Sequence, residues 1–207
     1  FGKIFHSLFL LTDEKNHLIK SLKMYEDAIA IFNGLDLKTQ VAESFWEKAI
    51  INDQLGLQID AAEDYKSASK TYNEAANKIP QLKDFYIEYS LYMQAWSQIE
   101  QARYSHSIED YEGSQQHYEE VAELHDLTSS WNYLSSNYLA WARLEEAEGL
   151  SRKENTQQAK RTFQKSYEKF LNAEESFKQK LEETTSPDEK EMVQKLFEAS
   201  DLRRDYC

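Results

Sequence analysis

The stretch of sequence that decides the fold runs from residue 52 to residue 80 and reads NDQLGLQIDAAEDYKSASKTYNEAANKIP. Within it, Ala68 and Tyr72 are four residues apart, and Ala75 follows three residues later. Residues with these spacings lie on one face of an α-helix. The face alternates small and large side chains, so we expect a neighbouring helix to dock closely against it. Pro80 predicts the end of this helix, because proline has no amide hydrogen to donate.

The same arrangement occurs four times along the chain. In each case an aromatic residue is followed after three positions by a small residue and after seven by a second aromatic. Seven residues bring a helix almost back to the same direction, so each pair predicts an aromatic stripe that faces one neighbour. The sets are Tyr25/Ala28/Phe32, Tyr65/Ala68/Tyr72, Tyr111/Ser114/Tyr118 and Phe163/Ser166/Phe170. They predict four repeats, with first aromatics 40, 46 and 52 residues apart.

Residues 52–80 resemble one tetratricopeptide repeat (TPR). The matching positions are Leu55-Gly56 on a first helix, Tyr65 at the turn, Ala68, Tyr72 and Ala75 on a second helix, and Pro80 as the stop. A standard repeat has about 34 residues, and the longer spacings here are more similar to the soluble NSF-attachment type of helical solenoid. The resemblance implies an all-α fold of TPR-like antiparallel helix hairpins that form a right-handed solenoid.

Composition agrees with long helices, since proline occurs only at positions 80 and 187 and the chain has five glycines. We expect one TPR-like domain over residues 1–207, as part of a longer protein, with repeats at 1–35, 38–80, 82–126, 131–183 and the start of another at 188–207. Gly34 is the predicted stop of the helix before residue 38. The expected helices are 14–33, 38–57, 60–79, 82–106, 108–125, 131–149, 156–183 and one from Pro187.

The first residues form an apolar run, Phe1 to Leu11. It is shorter than the roughly 20 residues that a membrane span needs, so we predict no membrane span. We expect instead a helix whose apolar face is unpaired, and the same holds for Leu196 to Tyr206 at the other end. Unpaired terminal helices would permit a homo-oligomer.

Charge is concentrated in the middle of the chain. Residues 81–150 carry three basic and thirteen acidic side chains, whereas residues 151–207 carry twelve of each. An acidic surface repels phosphate backbones, so nucleic acid is not an expected partner. A basic peptide or protein partner is favoured. The alternative is that these carboxylates only solvate a helix face.

Motifs for catalysis are missing from the sequence. It contains no glycine-rich phosphate loop, no H-E-x-x-H and no G-x-S-x-G, and Cys207 is the single cysteine. We therefore predict no enzymatic activity, no cofactor and no metal site. One alternative arrangement would place His106, His117 and His125 with Glu119 or Glu123 around a divalent ion, and surface histidines beside carboxylates are the competing interpretation.

The resemblance also implies a binding surface, since members of the family bind peptides in a concave groove lined by their first helices. It carries over to Asp53, Gln54 and Asp60 from the second repeat and to Glu100, Arg103 and His106 from the third. The Lys and Asn clamp for a terminal carboxylate in chaperone-binding members is absent, because Asp53 and Leu57 occupy the matching positions. An acidic C-terminal peptide is therefore not the expected ligand.

Taken together, these features predict a non-catalytic, cytoplasmic protein-interaction scaffold for a protein or peptide partner of basic character. One alternative is a structural, sensory or dimerisation arm of a larger multidomain protein. Another is a helical-bundle enzyme with an acidic metal site.

Overall fold

The fold is entirely helical. The structure, a computed structural model, describes residues 1–207. It contains nine α-helices, two short 3₁₀ helices at Pro80–Leu82 and Asn132–Leu134, and no β-strand. The helices are α1 (Gly2–Thr12), α2 (Lys15–Gly34), α3 (Lys38–Gln54), α4 (Gln58–Lys78), α5 (Lys83–Ser107), α6 (Tyr111–Asp126), α7 (Ser135–Arg152), α8 (Thr156–Glu183) and α9 (Pro187–Tyr206). The all-α prediction is confirmed, and α2 ends at Gly34 as predicted.

The helices pack mainly against their neighbours in sequence. The chain divides into two compact units, residues 1–101 and residues 102–207, and the boundary falls within α5. In the first unit α1 packs on α2, α2 on α3 and α3 on α4. In the second unit α6 packs on α7, α7 on α8 and α8 on α9. None of the nine helices combines the length and the apolar character that crossing a membrane requires.

Four of the helix connections are the same tight turn. At the first, between α2 and α3, Asp36 has a φ of 58° and the amide of Leu37 donates to the carbonyl of Phe32 (3.0 Å). Gly56, Glu109 and Glu154 each adopt a left-handed backbone conformation, with φ of 77°, 61° and 58°. In each turn the next amide donates to the carbonyl five residues back, the bond of a Schellman motif. At the last three turns these bonds are Leu57 N to Asn52 O (2.9 Å), Asp110 N to Ser105 O (2.9 Å) and Asn155 N to Leu150 O (3.0 Å). The following helix begins at once, because the donor residue is also its N-cap.

Counting from Gly56, Glu109 and Glu154, but not from Asp36, reveals a common register. Seven and fourteen residues before each turn lies a completely buried alanine, and nine residues before it lies a glutamate. Sixteen residues after each turn lies a buried ring. The alanines are Ala42 and Ala49, Ala95 and Ala102, Ala140 and Ala147; the glutamates are Glu47, Glu100 and Glu145; the rings are those of Tyr72, His125 and Phe170.

This register corrects one prediction. The sequence pattern paired Tyr65 with Tyr111, whereas the turns pair Tyr65 with Tyr118, seven residues further on. Seven residues are almost two helical turns, so both pairings put an aromatic ring on the same face of α6. Only the position of the turn at Glu109 distinguishes them, and a glutamate gives little sign of a left-handed conformation.

The core of the first unit has the alternation of small and large residues that residues 52–80 predict. Ala68 and Ala75 are completely buried in α4, and Tyr72 between them is almost so. The rings of Tyr65 and Trp96 stack with centroids 5.8 Å apart. The side-chain hydroxyl of Ser97 on α5 donates to the carbonyl of Ala62 on α4 (2.8 Å), which requires the two helices to approach closely. Alanines therefore provide the space and aromatic rings fill it.

The C-terminal end of α9 packs against the core of the second unit. Phe170 of α8 is completely buried and lies in a cluster with Ala140 and Leu144 of α7. Cys207 packs against this cluster, and the guanidinium of Arg203 lies 4.9 Å from the ring centre of Trp141. In contrast, α1 buries none of its large apolar side chains completely: Ile4, Leu10 and Leu11 are exposed, and Phe5, Leu8 and Phe9 are half-buried.

Candidate functional site

The first unit contains an open cleft of about 900 Å³. It lies among the first turn of α1, one face each of α2 and α3, Tyr72 of α4 and the start of α5. We refer to this feature as the cleft. Its wall on α2 consists of Met24, Tyr25, Asp27, Ala28, Ile31 and Phe32; its floor on α3 of Thr39, Gln40, Glu43, Ser44, Trp46 and Glu47; and its wall on α5 of Phe85, Tyr86 and Tyr89.

Helical periodicity explains why these residues share one surface. On α3 the lining positions follow each other at steps of three and four, from Thr39 through Glu43 to Trp46 and Glu47. Such steps keep side chains on one face of a helix. The opposite face of α3 carries Val41, Ala42 and Ala49, which are buried in the core. One helix thus contributes both to the core and to the floor of the cleft.

The wall on α5 is aromatic and well packed. The rings of Phe85 and Tyr89 have centroids 4.6 Å apart, and Tyr89 lies 5.5 Å from Tyr72 and 6.1 Å from Trp46. The hydroxyl of Thr39 donates to that of Tyr86 (3.1 Å), which joins this wall to the floor. Phe85 is half-exposed, so the wall offers an aromatic surface at the mouth of the cleft.

The floor of the cleft is acidic. Glu43 and Glu47 lie one turn apart on α3, and Asp27 faces them from α2. Lys3 is the one basic side chain among the lining residues, and it pairs with Glu47 (3.2 Å). No basic group of the chain pairs with Glu43 or Asp27. Like charges four residues apart on a helix repel each other, so a cation placed here would stabilise this surface.

The negative charges of the floor contribute to the raised pKa of two tyrosines. Burial raises the pKa of Tyr72, and the charges of Glu43 and Glu47 raise it further. Burial also raises the pKa of Tyr25, together with the charge of Glu47, whose Oε2 accepts the Tyr25 hydroxyl (3.2 Å). Both hydroxyls therefore stay protonated and neutral. The net charge of the cleft comes from three carboxylates and one ammonium.

The six residues predicted as a partner-binding set lie elsewhere. Asp53, Gln54 and Asp60 flank the turn at Gly56 and do not line the cleft. Glu100 is fully buried on α5, so its carboxylate is not accessible to a partner in this conformation. Arg103 and His106 are exposed residues of the second unit.

His106 and the other histidines have separate surroundings. Nδ1 of His106 lies 2.9 Å from Oε2 of the buried Glu145. His125 is buried and stacks on Tyr138 with ring centres 5.3 Å apart, and burial lowers its pKa to about 4. His117 is on the half-exposed side of α6. No three His, Cys, Asp or Glu side chains come together in an arrangement that could hold a metal ion.

Sequence reasoning missed the cleft for a physical reason. Phe85 and Tyr89 are four residues apart, a spacing typical of a packed helix face, and in the structure the α5 face they share also borders an opening. The lining residues come from five helices between residues 1 and 89, so no local pattern marks them. The sequence does contain a partial signal. Glu43, Trp46 and Glu47 are spaced so that two carboxylates and an indole ring lie on one side of α3, and residues 85–89 form a separate aromatic cluster.

No protein-family model, curated protein or solved structure matches this chain.

Proposed function

We propose that this chain is a non-catalytic protein-interaction module, built from TPR-like helix hairpins, that binds a basic segment of a partner protein in the cleft. The common register of the turns at Gly56, Glu109 and Glu154 supports a repeated hairpin. So does the close packing of small residues against aromatic rings in α4. A right-handed solenoid is the arrangement that such hairpins would build if they stack in series.

The observation that carries the proposal is the placement of carboxylates beside aromatic walls. Lysine and arginine have long apolar stems with a charged end, so they can cover an aromatic surface while the charge reaches a carboxylate. A cation near the faces of Trp46 and Tyr89 would gain a further attraction from the rings. The volume of the cleft lies in the range that binding pockets occupy. A neutral or acidic segment would leave Glu43 and Asp27 without a partner.

The proposal is tested with a fluorescently labelled peptide of alternating leucine and lysine residues, whose binding is measured by anisotropy. The matched peptide carries glutamine at every lysine position and should bind much more weakly. Raising the salt concentration from about 0.01 to about 1 M shortens the screening length from about 30 to about 3 Å, so affinity for the lysine peptide should fall.

Two sets of variants locate the site. Glu43→Gln with Glu47→Gln removes two charges from the cleft and should weaken binding about threefold to tenfold, the range expected for two partly exposed ion pairs. Asp53→Asn with Asp60→Asn removes two charges at the α3–α4 turn and should leave affinity nearly unchanged. If the turn variant weakens binding and the cleft variant does not, the ligand docks at the turn and the cleft is not the site. Equal binding of the two peptides would refute recognition of a basic partner altogether.

A further inference from the structure

Lys3 already places a cation in the cleft. Its ammonium lies 3.2 Å from Oε1 of Glu47, and the other oxygen of that carboxylate accepts the hydroxyl of Tyr25 at 3.2 Å. Tyr25 thereby holds Glu47 in one orientation. The interaction shows, within the chain itself, the kind of group that this carboxylate binds.

The first turn of α1 is anchored independently of the Lys3 side chain. The carbonyl of Gly2 accepts a buried hydrogen bond from the hydroxyl of Ser21 (2.8 Å). Gly2 also lies so close to Tyr25 that a Cβ atom there would be 2.7 Å from the ring. The side chain of Lys3, by contrast, is 80% exposed. Ion pairs of such exposed lysines are weak, so the ammonium can leave Glu47 while the backbone of α1 stays in place.

Glu47 is the accessible member of a set of three glutamates that share one position in the register. Glu47, Glu100 and Glu145 all lie nine residues before a turn residue. Glu100 and Glu145 are buried, whereas the side chain of Glu47 is 25% exposed. Glu145 is bonded to His106 of its own unit, a side chain that can carry a positive charge. Glu47 has the same position in the register, but its basic partner, Lys3, is an exposed side chain.

From this geometry, and resting on the function proposed above, we infer that Lys3 occupies the subsite for a lysine or arginine of the ligand. A basic segment binds by displacing Lys3 from Glu47 and by pairing with Glu43, one turn away on the same face. Lys3 is thus a built-in competitor. It lowers the affinity of the cleft for basic segments and excludes ligands whose positive charge does not reach Glu47.

The test uses the leucine–lysine peptide with the variant Lys3→Met, which keeps the apolar stem and removes the charge. Affinity should rise about twofold to fivefold, the gain expected when a weak surface ion pair no longer competes. Lys23→Met is the matched control, since Lys23 is an exposed residue of α2 that does not line the cleft. It removes the same charge one helical turn from Asp27, so it reports the electrostatic effect on the cleft without changing the Glu47 subsite. The gain in affinity from Lys3→Met should disappear in a Glu47→Gln background, where Lys3 has no carboxylate to pair with.

A second measurement follows Lys3 directly. Acetylation of lysines by a water-soluble reagent, read by mass spectrometry, should show Lys3 becoming more reactive when a lysine-free leucine–arginine peptide is added, while Lys23 does not change. If Lys3→Met weakens binding, or strengthens it no more than Lys23→Met does, Lys3 is not a competitor although the cleft still binds. Protection of Lys3 by the peptide would overturn the inference in the same way. If the wild-type chain binds neither basic peptide, the proposed function itself fails, and this inference is refuted with it.

Discussion

The protonation of His125 gives the most quantitative prediction. His125 lies on α6 with a side chain only 1% exposed, and burial lowers its pKa from 6.5 to about 4. Between these two values the unfolded chain binds a proton at this residue and the folded chain does not. Stability therefore rises with pH across this window and is lost as the pH falls through it.

The size of the effect follows from the shift. One pKa unit corresponds to about 1.4 kcal/mol, so lowering the pH from 7 to 4 should cost about 3 kcal/mol through this single residue. Buried carboxyl groups act with the opposite sign: burial raises the pKa of Asp64 and Glu145, so their folded forms hold a proton at a pH where the unfolded forms have lost it. A plain pH profile of the wild-type chain would mix the two contributions.

A comparison of two chains separates them. Urea unfolding, followed by helical circular dichroism at a series of pH values, is measured for the wild type and for His125→Phe, which retains a ring against Tyr138. The carboxyl contributions are common to both and cancel in the difference. The difference in unfolding free energy should change by about 3 kcal/mol between pH 7 and pH 4. Parallel profiles for the two chains, or a native-state NMR titration of His125 centred near pH 6.5, would refute the reasoning.

Two further predictions concern packing and a buried ion pair. In chemical denaturation, Tyr72→Ala should lower the unfolding free energy by about 3–5 kcal/mol and Ala68→Phe by about 1–3 kcal/mol, because both positions are buried in the first unit. Tyr104→Ala, at a residue that is 39% exposed, should lower it far less. Similar losses for all three variants would show that α4 does not pack as described. Arg204 donates to the carboxylate of Glu174 through two bonds of 2.7 and 2.8 Å, so Arg204→Met should lower the unfolding free energy by leaving that carboxylate without its cation. Adding Glu174→Gln should recover much of that loss, and a double variant no more stable than Arg204→Met would contradict the pairing.

Helix positions and the packed face of α4 were accessible from the sequence because they depend on local periodicity. Ala68, Tyr72 and Ala75 are spaced so that only a helix puts them on one face, and all three are buried. The end of α2 at Gly34 was also predicted, although Asp36 and not the glycine is the left-handed residue of that turn. The stop at Pro80 was readable, since proline has no amide hydrogen to donate. The turns at Glu109 and Glu154 were not, because a glutamate takes up the left-handed conformation only when the surrounding hydrogen bonds require it.

The candidate site likewise combines features that the sequence determines with features that depend on the tertiary structure. The sequence by itself determined that α3 has one face with Ala42 and Ala49 and another with Glu43 and Glu47, because a helix separates these positions by direction. Only the tertiary structure decided that the second face borders a cleft, because the walls come from α2 and α5, whose nearest lining residues, Phe32 and Phe85, are 53 positions apart. It likewise buried Glu100 while leaving Glu47 partly exposed, although both occupy the same position before their turns. Burial depends on which helices lie against a residue, and that is a property of the packed chain.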